Sequence, residues 1–419
     1  MPDIIWAHHR GVGFRLTAHN RNKYREMFRK FELSEEGSVL SLKEFEKILS
    51  STHYEFILPL IDDEKIKVKP EQIVNAIFKK IDERIFEGKI IIPLYGIELA
   101  MPELIIGNCK IFKVTDEWCA SNQLNKKQVE VTFLPSEEPD YRLIFNGGEQ
   151  SSNKPLMSHE ICLGQTCAEI TIKASSDKIK DASLYYLGQV IGLLWVYYPL
   201  HKVYSQDSIV FGPWFTRQND LIQYAVFRKT KPDQVFEFST VHLERLAPSR
   251  LIINEQTIKK YNEDNFDKFI NLLFNDEPKS EMIERIKSSL FWFGKALSQF
   301  DLTQKFLFSC IALEALLSPN DKERIVASIA ESAAFILYNG VDSRLKLIND
   351  IKNIYDQRSA IVHQGSNVAS KIDVDSTIKI TRLLIVTLLE SDYAKSTYAE
   401  LMSQIERLKF SYFIKEGEL

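Results

Sequence analysis

The sequence predicts an α+β protein, in which an N-terminal region of mixed strands and helices is followed by a C-terminal all-α helical bundle. Two observations on periodicity carry this prediction. Between about residues 89 and 173, apolar and polar residues alternate, which is typical of half-buried strands. From about residue 280 onward, apolar residues recur every three or four positions, which is typical of amphipathic helices. Short polar breaks separate these later segments and predict helices that pack against their neighbours.

Composition and charge are those of an ordinary globular protein. The chain has 419 residues, of which 45% are hydrophobic and 26% charged, and its formal net charge is -4. Because the chain is not a polycation, any nucleic-acid binding must come from a local patch. The five cysteines form no Cys-x-x-Cys pair, and no signal pattern opens the chain, so we expect reduced thiols and a cytoplasmic protein. The longest apolar run, Leu184 to Leu200, contains two glycines and a glutamine, and we expect no membrane association.

The N-terminal region, predicted as residues 1–260, combines both kinds of element and is a candidate sensor or regulatory domain. Helices are expected over Leu42 to Leu49 and from Pro70, because proline is favoured in the first turn of a helix. Six strand-like segments follow, at 89–99, 104–106, 110–114, 129–134, 141–145 and 168–173. Three more lie at 208–212, 221–227 and 235–242.

A helical pattern from Lys178 to Tyr198 interrupts the strands and is rich in aromatic residues. Its aromatic side chains are Tyr185, Tyr186, Trp195, Tyr197 and Tyr198. Two interpretations are open: a platform on which nucleic-acid bases stack, or a wide core-facing stripe. The apolar residues between the aromatics favour the core.

The C-terminal region, predicted as residues 280–419, follows a predicted linker at residues 261–279. Proline, glycine and short polar residues mark where its helices start and stop. The expected helices are 281–300, 302–318, one from Asn320 or Asp321 to Gly340, one from Asp342 or Ser343 to Gly365, one from Asp375 or Ser376, and one from about Lys395 to Phe410.

The fourth of these helices ends in the sequence Tyr355-Asp-Gln-Arg-Ser-Ala-Ile-Val-His-Gln-Gly365. Arg358 stays charged at any pH and matches phosphate oxygens with a planar fork of donors. His363 carries the side chain best suited to proton transfer near neutral pH. The pair is sufficient for phosphodiester chemistry without a metal. A plainer interpretation is that both residues stabilise the C-terminus of a helix.

This stretch, together with Ile311-Ala-Leu-Glu-Ala-Leu-Leu317 on an earlier helix, resembles the HEPN superfamily, in particular the ApeA-like branch found in bacterial phage-defence proteins. The resemblance covers about residues 280 to 415. It implies a HEPN helical bundle and a metal-independent endoribonuclease, whose signature in that superfamily is Arg, four to six residues, then His. In many active members the residue after the arginine is Asn, Asp or His, whereas this chain has Ser359.

The resemblance also implies roles for individual residues. Arg358, His363 and Ser359 are the expected catalytic residues, with Glu314 and Tyr355 in support. No metal or cofactor is expected. The expected partners are RNA, with tRNA as one candidate, and a second copy of the chain that pairs through the bundle.

The expected function is therefore an endoribonuclease of a bacterial anti-phage, abortive-infection system. An unidentified trigger would act on the N-terminal region. The alternative is a non-catalytic HEPN module that binds nucleotides or partners and dimerises.

Helix geometry adds a condition to the Arg–His pair. On an ideal helix, residues five apart are separated by about 7.5 Å along the axis and roughly 140° around it. Arg358 and His363 therefore cannot lie side by side on one intact helix. Either the helix unwinds near Val362, where Gly365 permits a left-handed stop, or a second copy of the chain helps to form the site.

Overall fold

The structure is a computed structural model that describes residues 40, 42–56, 70–115, 117, 166–175, 178–198, 211–213, 226–228, 237–239, 251–275, 277–299, 301–319, 325–364 and 369–416. The predicted strands at 129–134 and 141–145, and the predicted helix end at Gly365, lie outside the described residues. The chain forms two compact units, residues 1–90 with 170–184 and residues 91–169 with 185–419. Strands in the N-terminal half and helices in the C-terminal half confirm the α+β class.

The described residues form eleven α-helices and nine strands. The helices are α1 (Leu42–Phe56), α2 (Pro70–Asp82), α3 (Ile179–Tyr197), α4 (Glu255–Glu263), α5 (Phe266–Phe274), α6 (Glu281–Leu297), α7 (Leu302–Leu317), α8 (Ile325–Leu337), α9 (Val341–Gln364), α10 (Lys371–Glu390) and α11 (Tyr398–Glu416). The strands are β1 (Phe86–Tyr95), β2 (Ile97–Leu99), β3 (Glu103–Ile106), β4 (Cys109–Lys113), β5 (Thr166–Ala174), β6 (Gly212–Pro213), β7 (Val226–Arg228), β8 (Glu237–Ser239) and β9 (Leu251–Ile253). Of these elements, α4, α5 and β9 were not predicted. In the described part of the chain, no helix is both long and apolar enough to cross a membrane.

Five of the strands form a sheet in the order β3-β4-β5-β1-β6. β3 and β4 pair antiparallel through a tight turn in which Gly107 has a φ of 55°. Along β3, Leu104 and Ile106 are buried whereas Glu103 and Ile105 are exposed, as the alternating pattern predicts. β2 pairs with β9 in parallel, so not every strand is antiparallel.

The two N-terminal helices pack on each other in the smaller unit. Phe45 and Ile48 of α1 are buried in one cluster with Ile81 of α2. At the edge of this cluster, Lys80 Nζ lies 2.6 Å from a carboxylate oxygen of Glu55. α2 begins at Pro70, as predicted, and α1 continues about two turns beyond the expected span, to Phe56.

The predicted linker at residues 261–279 is folded rather than extended. It contains the end of α4 and the whole of α5, whose Phe266 and Phe269 are buried. Aromatic residues at helical spacing anchor this segment in the larger unit. The domain boundaries themselves stay predictions.

Helices α6 to α11 occupy the region predicted as a bundle, with two corrections to where helices begin. α10 starts at Lys371 and not at Asp375 or Ser376, because the Ser370 hydroxyl caps it by accepting from the Asp373 amide at 3.2 Å. α11 starts at Tyr398 and not near Lys395. Thr397 and Glu400 form a reciprocal capping box there: the Thr397 amide donates to Glu400 at 2.8 Å and the Glu400 amide donates to Thr397 at 3.2 Å.

The aromatic stripe of α3 belongs mainly to the core, as the plainer interpretation predicted. Trp195 is 1% exposed and stacks on Phe211 with ring centroids 3.9 Å apart, and Tyr197 and Tyr198 are buried as well. Tyr185, at 41% exposure, is the exception.

Glycines allow α3 to cross α6 at very short range. A Cβ on Gly192 would lie 2.0 Å from the carbonyl oxygen of Leu290, and one on Gly294 would lie 2.8 Å from that of Gly188. No side chain fits between these backbones, so Gly192 and Gly294 both require glycine.

Candidate functional site

Helix α9 presents two different rows of side chains. One row points into the protein and contains the buried residues Arg344, Leu347, Ile351, Ile354 and Tyr355. With the same spacing of three or four residues, the next position in this row is Arg358. The inward row therefore continues into an arginine at a point where an apolar residue would normally follow.

Arg358 is held by an acidic residue of a neighbouring helix. Its Nε atom lies 3.1 Å from Oε1 of Glu314 on α7, and the two side chains are only 31% and 25% exposed. The contact uses the side of the guanidinium group. Within the described residues, the two terminal nitrogens of Arg358 donate no hydrogen bond, and Glu314 is the ion-pair partner of this side chain. The predicted support of Arg358 by Glu314 is thus present as an ion pair, and it leaves the outer donors of the fork available.

Tyr355 and Cys310 complete the surroundings of this ion pair. Cys310 is fully buried one turn before Glu314, and Tyr355 is buried one turn before Arg358. The Tyr355 hydroxyl has no hydrogen-bond partner of normal geometry among the described residues. It nevertheless lies close enough to the Glu314 carboxylate for that negative charge to add to the effect of burial in raising the tyrosine pKa.

Burial dominates the electrostatics of the cluster. It raises the pKa of Glu314 above its ordinary value, and the nearby Arg358 guanidinium partly offsets that rise. Burial also raises the pKa of the Cys310 thiol to about 12, so this thiol is protonated and unreactive at neutral pH.

His363 and Ser359 belong to the other row of α9. Lys352, Asp356, Ser359 and His363 are all exposed and follow one another at intervals of three or four residues. Ser359 and His363 are neighbours in this row, with Cβ atoms about 5–6 Å apart in an ideal helix. Neither residue joins the Glu314 cluster.

The course of helix α9 determines whether Arg358 and His363 of one chain can lie side by side. α9 is helical without interruption from Val341 to Gln364. Of the two alternatives, unwinding near Val362 does not occur, because the backbone remains in the helical hydrogen-bonding pattern past that residue. On a continuous helix, Arg358 and His363 stay roughly 140° apart around the axis. One chain therefore brings together Arg358, Glu314 and Tyr355, and keeps His363 and Ser359 apart from them.

Cys310 is the member of the cluster that sequence reasoning missed. The signal was present, because Cys310 and Glu314 are four residues apart and must share a face of α7. Two other cationic residues of α9 behave as the plainer interpretation expects. Arg344 Nε donates to the Tyr338 carbonyl at 2.7 Å in a structural contact, and Lys352 is exposed.

No group of three or more His, Cys, Asp or Glu side chains in the described ranges is placed to hold a metal ion. A comparison of the chain with protein-family models gives no match, and searches of curated proteins and of solved structures give none either.

Proposed function

We propose that the chain is a metal-independent endoribonuclease of the HEPN type, which acts in bacterial anti-phage defence by abortive infection. The observation that supports this proposal most is the way Arg358 is held. An inward-facing arginine is fixed from its side by Glu314, at 3.1 Å, and its terminal donors make no hydrogen bond within the described residues. A guanidinium group prepared in this way suits a phosphate group, which accepts two parallel hydrogen bonds.

The chemistry assigns a role to each residue. The ribose 2′-oxygen attacks the adjacent phosphorus, and the bond from phosphorus to the 5′-oxygen breaks. One His363 takes the proton of the 2′-hydroxyl, and a second histidine gives a proton to the leaving 5′-oxygen. Arg358 stabilises the charge that develops on the phosphoryl oxygens, and Ser359 orients the imidazole beside it. Glu314 positions Arg358, and Tyr355 packs under the ion pair.

A second copy of the chain completes this site in the proposal. Each protomer has one histidine on the exposed row of α9, whereas the reaction uses both a base and an acid. Two copies that bring the C-terminal ends of their α9 helices together would supply two histidines from the exposed rows, and the outer donors of two Arg358 side chains, to one cleft. The N-terminal region would then respond to a trigger and control this pairing.

RNA cleavage without metal tests the proposal. Purified protein is incubated with total RNA, tRNA included, in excess EDTA, with and without extract of phage-infected cells as a source of the trigger. We expect cleavage by the wild type that leaves 2′,3′-cyclic phosphate ends, and at least a hundredfold slower cleavage by Arg358→Ala and His363→Ala, the order of magnitude for loss of a general acid or base.

Two exposed cations provide matched controls. Lys268→Ala removes an exposed charge from α5, and Arg407→Ala removes an exposed arginine from α11. Both variants should cleave at the wild-type rate. Intact RNA in every reaction, with infected extract present, would overturn the proposal.

A specific observation favours the alternative, a non-catalytic HEPN module that binds nucleotides or partners. Arg358 already has a partner in Glu314, which is sufficient reason for an arginine at this helix contact. Sedimentation of the Arg358→Ala variant distinguishes the two functions. A binding module should lose assembly or nucleotide affinity, whereas the nuclease should keep its oligomeric state and lose only cleavage.

A further inference from the structure

Four aromatic side chains form a continuous strip outside the candidate active site. Tyr185 of α3 lies 4.8 Å from Phe291 of α6, measured between ring centroids. Phe291 lies 5.1 Å from Trp292, and Trp292 lies 5.7 Å from Phe308 of α7. We name Tyr185, Phe291, Trp292 and Phe308 the aromatic strip.

The aromatic strip is at the surface, unlike Trp195, Tyr197 and Tyr198 of α3, which are buried. Tyr185 is 41% exposed, and the other three rings are half-buried. Gly188 leaves room for Phe291, because a Cβ there would lie 2.4 Å from the phenyl ring. The buried side of each ring is thus packed against the protein, while the other part remains accessible to solvent. A run of aromatic surface of this kind is uncommon on a protein that binds nothing.

A cation, Lys295, lies over the strip. Lys295 Nζ is 4.7 Å from the ring centroid of Phe308 and 4.9 Å from that of Trp292. No carboxylate of the described residues pairs with it, whereas Lys287, two turns earlier on the same helix, lies 2.9 Å from a carboxylate oxygen of Glu284. Desolvation against the rings lowers the pKa of Lys295 from its ordinary value. The lysine therefore carries a charge that only the ring faces compensate, and an anion beside it would be favourable.

We propose that the aromatic strip and Lys295 bind single-stranded RNA, with bases stacked on the rings and a backbone phosphate at the lysine. Flat ring faces beside an unneutralised cation are the combination that single-stranded nucleic acids use, since every base offers a π face and every nucleotide a phosphate. In a duplex those faces are covered by neighbouring bases. The choice of RNA rests on the proposed function, whereas the choice of a single strand follows from the rings.

The position of the strip agrees with delivery of a strand toward Arg358. Phe308 and Glu314 are on the same helix, separated by about 9 Å along its axis and roughly 120° around it. A strand of a few nucleotides that stacks on the strip therefore has the Arg358 ion pair on an adjacent side of α7.

A binding experiment that does not depend on cleavage tests this inference. The probe is a fluorescein-labelled 12-nucleotide RNA with 2′-O-methyl groups, which has no attacking hydroxyl and stays intact. Fluorescence anisotropy gives its dissociation constant for the full-length protein, and for Trp292→Leu, Phe308→Leu and Lys295→Gln. We expect each variant to bind about tenfold more weakly, as for the loss of one stacked base or one phosphate contact.

Matched controls remove an aromatic ring or a charge elsewhere. Phe410→Leu replaces a ring that is 68% exposed on α11, and Lys260→Gln removes an exposed lysine from α4. Both should bind like the wild type. Lys295 is half-buried at the surface, so Lys295→Gln should fold. This variant tests the inference even if the ring variants fail to fold.

Three results would overturn the inference: no binding by the wild type, equal weakening in the controls, or equal affinity for a duplex of the same sequence. Absence of RNA cleavage would be a separate result. A chain that binds the probe through the strip but cleaves no RNA would contradict the proposed function and leave the strip in place.

Discussion

Two helix contacts in the larger unit are built in opposite ways. Where α3 crosses α6, Gly188, Gly192 and Gly294 have no side chains, so the two backbones touch. Where α7 meets α9, the long side chains of Glu314 and Arg358 place opposite charges 3.1 Å apart, largely shielded from water. The first contact depends on shape, and the second depends on charge.

The glycines at the first contact are required for packing of the fold, whereas the charged residues at the second contact are not. Backbone contact through glycine desolvates few polar groups, so packing alone explains it. A shielded ion pair must desolvate two charges, and a pair of apolar side chains would often serve packing equally well. The glycine crossing is explained by the fold. The ion pair is the contact that calls for a further explanation, and orientation of Arg358 toward a phosphate provides one.

Gly192→Ala should have the largest effect on stability. The new Cβ would lie 2.0 Å from the carbonyl oxygen of Leu290 and 2.6 Å from its carbon, and backbone atoms of a packed helix cannot rotate away. We expect the free energy of unfolding to fall by about 3 kcal/mol, at the upper end for an overpacked site. Urea denaturation followed by circular dichroism measures this change.

Gly340→Ala is the control for that substitution. The nearest atom to a Cβ at Gly340 is the Ser343 hydroxyl oxygen, at 4.0 Å, so the methyl group enters open space. Its effect should stay within about 0.5 kcal/mol. Equal losses for the two variants would contradict the close-approach explanation of the crossing.

A double-mutant cycle on Glu314 and Arg358 should show the next largest effect. Each alanine substitution leaves the other charge shielded and unpaired, and we expect each to lower the free energy of unfolding by about 1–3 kcal/mol. The double variant should lose less than the sum, with a coupling energy of about 1 kcal/mol. The pair formed by Lys287 and Glu284, in which the glutamate side chain is 54% exposed, serves as the control, with an expected coupling below about 0.5 kcal/mol. Additive losses at Glu314 and Arg358 would mean that the ion pair contributes nothing.

Much of the fold is predictable from the sequence, because periodicity and capping residues act locally. Helices α6, α7 and α9 follow the apolar spacing and lie within a few residues of the predicted spans. The predicted start of α10 was wrong because Asp375, Ser376 and Ser370 are all suitable caps. Only the packing of Val374, which is buried inside the helix, decides in favour of Ser370. The folded state of residues 261–274 depends on distant partners for their aromatic side chains, which the local sequence does not specify.

The contacts around Arg358 depend on packing between helices that are distant in sequence. The Arg–His spacing predicts that the two side chains diverge on an intact helix, and the continuous α9 agrees with that geometry. Glu314, the partner of Arg358, is far from it in the sequence, so only the packing of α7 against α9 brings the two residues together. The aromatic strip was missed for the same reason, since its four rings come from three helices.

The pH dependence of stability tests whether the ion pair fully compensates the burial of Glu314. Burial raises the pKa of Glu314 from its ordinary value of 4.5, so the native state binds this proton more tightly than the unfolded state does. The stability contributed by this residue is therefore complete below pH 4.5 and is lost as the pH rises through the native pKa. Comparison with Glu314→Gln in urea, from about pH 4 to about pH 8, isolates the effect. The wild type should lose stability relative to the glutamine variant as the pH rises, and the opposite slope would show that Arg358 dominates over burial.

Tyr355→Phe should have the smallest effect on stability. It tests whether the tyrosine hydroxyl takes part in the contact between Glu314 and Arg358. The hydroxyl is buried without a hydrogen-bond partner of normal geometry among the described residues, so its removal relieves an unsatisfied polar group and keeps the ring. We expect a change within about 0.5 kcal/mol, toward greater stability, in the urea experiment. A loss of about 1–2 kcal/mol would instead mean that the hydroxyl donates to Glu314 in solution, as a hydrogen bond to a charged group would. In that case the contact between α7 and α9 would be a three-residue network, and Tyr355→Phe should also slow any cleavage that depends on the orientation of Arg358.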